Sequence, residues 1–166
     1  MYSNVNRAKR FIILLILLLI PTVTFAKNTQ TNQSEKICLA KAIYHEAKGE
    51  PEIGKRAVAK VVLNRKNHQK YPKTICGVVN QVDYNSGKKL CQFSWVCSRS
   101  KKLDTGPWND SLMLSEDILN NKVSLPKFND NVLFFRSIYS KRGFGKDFKF
   151  VTRLGHSNFY YRKKSV

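Results

Sequence analysis

The chain has 166 residues, which is room for one domain and not two. Hydrophobic residues make up 42% and aromatics 11%, enough for a packed core and too much for wholesale disorder. Thirty lysines and arginines stand against eleven aspartates and glutamates, a net charge of +19 that points to a polyanionic partner: nucleic acid, an acidic membrane surface or an anionic envelope polymer.

The N-terminus narrows that choice. Arg7, Lys9 and Arg10 precede an apolar run over 11–20, then Pro21, and Thr24-Phe-Ala26 sets small residues at the −3 and −1 positions of a cleavage site. This is the pattern of a secretory signal peptide over 1–26. The run is shorter than the roughly 20 residues that span a bilayer. Cleavage after Ala26 is therefore expected, with a retained anchor as the alternative, and membrane contact is confined to this segment. An exported chain, periplasmic or extracellular, meets the envelope rather than nucleic acid. Its four cysteines, Cys38, Cys76, Cys91 and Cys97, all follow the signal segment, and their even number predicts two disulfides. Three pairings are possible. The expected one closes a short loop from Cys91 to Cys97 and ties Cys38 in the first helix to Cys76 near Pro72.

Residues 27–34 read as a polar, mobile leader and 35–162 as the folded domain. Ser34 is a plausible N-cap, with Glu35 in the first turn. Ile37, Ala40, Tyr44 and Ala47 then recur at helical spacing, as do Leu39 and Ile43, until Gly49 and Pro51 stop the helix. A second helix carries Ile53, Ala57, Val58, Val61 and Val62 and ends near Arg65. The stretch 67–73 is a loop, 74–81 one or two helical turns, and 83–89 a turn-rich loop. Gly106-Pro107 opens a third helix, with Trp108, Leu112, Ser115 and Leu119 along one side and Ile118 beside them. The segments 132–135, 148–151 and 158–161 are short, aromatic and β-prone, separated by Gly143, Gly145 and Gly155. Helices first and a small antiparallel sheet afterwards make an α+β domain.

Several chemistries are missing their parts. His45-Glu46-Ala-Lys-Gly49 starts like a zincin helix, but Gly49 stands where the second histidine ligand belongs. With only His45, His68 and His156 in the chain, no metal and no cofactor is expected. There is no Gly-x-Ser-x-Gly elbow and no phosphate-cradling glycine loop. Carboxylate chemistry remains. Glu46 sits in the last turn of the first helix, where the negative end of the dipole disfavours its ionised form. A carboxyl kept protonated near neutral pH is what a general acid requires.

The run Cys38-Leu-Ala-Lys-Ala-Ile-Tyr-His-Glu-Ala-Lys-Gly-Glu-Pro51, followed by Gly54 and Ala57-Val-Ala-Lys-Val-Val-Leu-Asn-Arg65, resembles the spore cortex-lytic (SleB-type) cell-wall hydrolase family. The likeness continues through Tyr71-Pro-Lys-Thr-Ile-Cys-Gly-Val-Val-Asn-Gln81 and Cys91-Gln-Phe-Ser-Trp95. It returns at Leu133-Phe-Phe135 and Leu154-Gly-His-Ser-Asn-Phe-Tyr160. The resemblance implies a lysozyme-like helical core with the small sheet at its C-terminal end. It also implies cleavage of peptidoglycan glycan strands after N-acetylmuramic acid, with Glu46 as the catalytic acid. Such enzymes resemble lytic transglycosylases, in which one carboxyl is acid and then base, so the usual carboxylate pair is not required.

Matching positions give Glu50, Gln92, Ser94, Trp95 and Tyr160 as candidate substrate contacts, although Glu50, before Pro51, also suits shaping the turn. Phe93 suits core packing, and Asn64 and Arg65 a structural role. His156 is displaced by one position from the family's Gly-x-His-x-Phe-Tyr pattern, which turns it to the other strand face. A basic, glycine-containing loop over 141–149 replaces the family's Pro-x-Trp element. The expectation is a monomeric, exported enzyme held on peptidoglycan and anionic envelope polymers by salt-sensitive attraction. The rivals are a non-enzymatic cationic wall-binding protein on the same fold and a nucleic-acid binder with a misread signal.

Overall fold

A computed structural model describes residues 21–98, 102–141 and 143–163. The segment 1–20, and with it most of the expected signal peptide, lies outside the described residues. The chain divides after Ser34. Up to that point the described residues belong to the first turns of one helix, and the packing below concerns residues 35–163.

That helix, α1 (Pro21–Ala47), begins well before Ser34, so the expected leader over 27–34 is helical. The reason is local: after Pro21 no proline or glycine interrupts the chain until Gly49. Ser34 is thus interior, not a cap, and Glu35 has a different task. Its carboxylate accepts the backbone N–H groups of Ile75 at 2.7 Å and Cys76 at 3.2 Å, the first turn of α3 (Ile75–Val79). Thr74 caps the same turn by accepting from the Gly77 N–H. The Cys38–Cys76 disulfide lies at this junction, and the second bridge joins Cys91 to Cys97. Cys38→Ser together with Cys76→Ser is expected to cost about 2–4 kcal/mol in the loop-entropy model, read as a lower denaturation midpoint under non-reducing conditions.

The next helix, α2 (Glu52–Asn67), is the centre of the domain. Ala57, Val58, Ala59, Val61 and Val62 are all fully buried, because α2 faces two apolar layers at once. Ala59 and Val62 join Leu39, Ala42 and Ile43 of α1, Val78 and Val79 of α3, Phe93, and Ile118 of α4 (Thr105–Leu119). Ala57 and Val61 join Val132 and Phe159 beneath the sheet.

That sheet has the order β3–β5–β4, all antiparallel, from β3 (Phe134–Ser137), β4 (Phe148–Leu154) and β5 (Ser157–Arg162). Phe135 pairs with Phe159 on the inner face. Phe134, Tyr160 and Phe150 are aligned across the three strands on the outer one. The stretch read as a turn-rich loop over 83–89 is instead a hairpin of β1 (Val82–Asn85) and β2 (Lys88–Cys91). Its Ser86-Gly87 turn has φ of 49° and 77°, the two left-handed residues of a type I′ connection. Both strands are largely exposed, so no apolar alternation marked them in the sequence. The α+β architecture is as expected. Among the described residues no helix is long and apolar enough to cross a membrane.

Candidate active site

Glu46 lies one residue before the end of α1, half-buried at the base of a cleft of about 350 Å³. Arg65, Gln92, Ser94, Phe134 and Phe144 line the same cleft. One neighbour holds the carboxyl by a hydrogen bond and a second acts on it through charge. The Trp95 indole N–H donates to Glu46 Oε1 at 2.8 Å. Trp95 itself sits in a single 3₁₀ turn, Ser94–Val96, inside the loop closed by Cys91–Cys97, and lies against His45 (4.3 Å between ring centres) and Phe93 (5.8 Å). Burial first, then the charges of Lys48 and Lys41, hold His45 below its ordinary pKa, which favours a neutral ring for stacking.

The second neighbour is Arg65. It is 4% exposed, and its Nε–H donates to the Leu133 carbonyl at 2.9 Å. Its guanidinium lies over the rings of Tyr71 and Phe93. Burial raises the Glu46 pKa above the usual glutamate value, while the Trp95 hydrogen bond and the Arg65 charge oppose that rise. Because Oε1 accepts from the indole, the proton of the neutral acid belongs on Oε2. Glu46 is the one acid among the described residues that line this cleft. Among the described residues no group of three or more His, Cys, Asp or Glu side chains could hold a metal ion.

The candidate residues thus separate into two sets. Gln92, Ser94 and Trp95 gather around Glu46, whereas Glu50 turns away from it. The Glu50 side chain is 9% exposed, and it accepts the His156 backbone N–H at 2.6 Å and the Ser157 hydroxyl at 2.8 Å. It therefore pins the end of α1 to the β4–β5 turn, and its lone pairs are engaged there rather than offered to a ligand. Gly155 makes that approach possible: its φ is +60°, and a Cβ there would collide with the Glu50 carboxylate and Pro51. Tyr160 stands one ring behind the cleft, edge-on to Phe144 at 4.9 Å.

Two contributors went unseen in the sequence. Phe144 comes from the loop read as merely basic, and Phe134 entered only as part of a matching strand. Phe144 stacks on Phe148 and meets Tyr160 and Phe134 edge to face, with the Arg136 guanidinium over its ring, so it adds an aromatic wall to the Glu46 cleft. A glycine on each side, Gly143 and Gly145, was the available signal of an irregular, inserted ring. Asn64 has the structural role expected of it, donating to the Val132 carbonyl at 3.0 Å.

With this geometry in view, comparison with known proteins decides the family. The family model described as Cell Wall Hydrolase matches residues 49–160. The chain belongs to the cell wall hydrolase family. Within that family it is similar to the spore cortex-lytic enzyme of Halalkalibacterium halodurans, 49% identical over 41 residues, which are 25% of this chain and 12% of that protein. It is also similar to the spore cortex-lytic enzyme of Oceanobacillus iheyensis, 46% identical over 48 residues, which are 29% of this chain and 17% of that protein. The match therefore spans less than a fifth of these curated relatives. Two solved structures share the fold. The catalytic domain of the Bacillus cereus SleB protein superposes with a TM-score of 0.52 at 21% identity, covering 76% of this chain and 89% of that one. The catalytic domain of the germination-specific lytic transglycosylase SleB from Bacillus anthracis gives 0.53 at 20% identity, covering 76% and 93%.

Proposed function

We propose that this family member is an exported enzyme that cleaves peptidoglycan glycan strands at the bond after N-acetylmuramic acid, by lytic transglycosylation with Glu46 as its catalytic residue. The observation that carries the reading is a single half-buried carboxyl, oriented by the Trp95 indole in an open cleft, whose burial raises its pKa above the usual glutamate value. A glycosidase that uses two carboxyl groups places them roughly 5–9.5 Å apart across the scissile bond, and among the described residues no second acid lines this cleft. One carboxyl suffices when the sugar supplies its own nucleophile.

In the first step Glu46 Oε2 gives its proton to the glycosidic oxygen as the C1–O bond breaks, leaving an oxocarbenium-like muramyl ring. Glu46, now a carboxylate, takes the proton of the C6 hydroxyl while that oxygen bonds to C1 and closes the 1,6-anhydro ring. Trp95 holds the carboxyl in orientation through both steps. Gln92 and Ser94 offer hydrogen bonds to sugar hydroxyls, and Phe134 and Phe144 offer faces for stacking. The two disulfides and the N-terminal signal pattern favour an oxidising, extracytoplasmic site of action. A binding scaffold has no use for a carboxyl driven toward its neutral form, which weighs against the non-enzymatic reading.

The test is digestion of purified sacculi followed by mass spectrometry of the released muropeptides. Anhydro-muramyl ends are the expected product; reducing muramyl ends would make the protein a hydrolysing muramidase instead. Trp95→Phe adds a signature in pH. Its indole N–H stabilises the ionised carboxyl, so its loss raises the Glu46 pKa further. The alkaline limb of the rate profile, where the acid loses its proton, should then move to higher pH even as the maximal rate falls. A limb that stays in place would assign it to another group.

A further inference from the structure

The Glu46 cleft does not end at its own walls. Gln92 and Phe134 also line a second, larger chamber of about 830 Å³, so the two cavities adjoin at these side chains. The chamber has an aromatic side, with Tyr71 and Phe134, and a cationic rim made by Lys70, Arg162 and Lys163. Asp83 is the one acid among the described residues lining it, and Asp83 already accepts from the Gln81 amide at 3.2 Å. Arg162 reaches Asp147 at 3.8 Å, but the side chains of Lys70 and Lys163 have no ion-pair partner among the described residues. The larger chamber thus adds volume and unpaired positive charge beside the Glu46 cleft.

We propose that the cationic chamber binds the carboxylates of the peptide stem carried by the muramyl residue, so that this chain prefers peptide-bearing glycan over bare glycan. The inference rests on the peptidoglycan reading and deepens it. In such a strand each muramyl sugar bears its peptide on the C3 lactyl ether, on the same ring whose C1 bond is to be cut. A muramyl ring seated at Glu46 therefore carries an anionic branch that must leave the sugar-binding cleft, and the adjoining chamber is where charge and space receive it. Partly exposed cations set a modest, salt-dependent preference rather than tight binding.

The experiment uses the full chain on three forms of the same glycan: untreated, stripped of peptide stems by an amidase, which leaves each muramyl sugar its single lactyl carboxylate, and stripped of phosphodiester-linked polymers by hydrofluoric acid. Wild type should cleave peptide-bearing strands roughly three- to tenfold faster than amidase-stripped ones, the range expected of a few partly exposed ion pairs. Removal of the phosphate polymers should not change that ratio. In the Lys70→Ala, Lys163→Ala double variant the ratio should fall toward one. The variant Lys88→Ala, Lys127→Ala, which removes the same charge from exposed positions outside the chamber, should keep it. Equal wild-type rates on peptide-bearing and stripped strands would overturn the proposal. So would a preference lost with the phosphate polymers, or a ratio that falls equally in both double variants. Failure to cleave any of the three would instead remove the peptidoglycan reading, and this inference with it.

Discussion

Glu46→Gln should abolish glycan cleavage while the protein stays folded and still binds peptidoglycan. Glutamine keeps the length of the side chain, and its carbonyl oxygen still accepts from the Trp95 indole, which now donates at 2.8 Å. It has no proton to release to a leaving oxygen and cannot take one from the C6 hydroxyl. General acid catalysis alone is worth about 10²–10⁴ in rate, and a group that is also the base should cost the upper end of that range or more. Stability should move the other way. Burial raises the carboxyl's pKa in the folded protein. The native state therefore holds its proton more tightly than the unfolded chain, an advantage complete below the unfolded pKa and lost as pH rises through the folded one. The amide has no such dependence, so the variant should equal or exceed wild type in thermal midpoint at neutral pH. Sacculus turbidity and a melting scan check both halves. An active, well-folded Glu46→Gln protein would move the acid elsewhere.

Glu50 should behave in the opposite sense. Glu50→Ala removes the acceptor for the His156 N–H and the Ser157 hydroxyl and opens a void between Pro51 and Gly155. Stranding two donors and losing the contact should cost roughly 2–4 kcal/mol. Glu50→Gln should cost about 1 kcal/mol, because the amide oxygen can still accept from His156 and the amide nitrogen can donate to Ser157, whose hydroxyl rotates to receive it. Both should retain measurable cleavage below their melting temperatures, checked by chemical denaturation beside the turbidity assay. A stable but inactive Glu50→Gln protein would show that the clamp also serves the chemistry.

The sequence was most legible where one local rule sufficed. Helical spacing located α2 and α4, the change to aromatic β-prone segments located the sheet, and the helix-end position of Glu46 together with the resemblance around it singled it out as the candidate acid. Legibility failed where the deciding partner was remote in sequence. Glu35 looked like a favourable charge in its own helix, but 40 residues separate it from the Ile75 N–H it satisfies. Glu50 looked like a substrate contact or a shaper of its own turn, yet its partner lies 106 residues away. Phe144 was hidden by its basic surroundings, since no periodicity tells that one ring of a loop folds back over a sheet. The β1–β2 hairpin was hidden for another reason: strands exposed on both faces carry no buried pattern, and only the Ser86-Gly87 turn betrays them.

The burial of α2 on opposite sides has a consequence for how the domain comes apart. One helix is a wall of both apolar layers, Ala59 and Val62 on the helical side and Ala57 and Val61 on the sheet side. Neither layer can open without stripping that wall from the other. The sheet therefore has no independent melting step, and loss of packing anywhere along α2 is felt at Arg65, whose hydrogen bond to Leu133 joins this helix to the chain just before β3. The shape of the Glu46 cleft and global folding are in this way coupled, and softening one half of the protein to gain flexibility at the cleft should lower the stability of the whole.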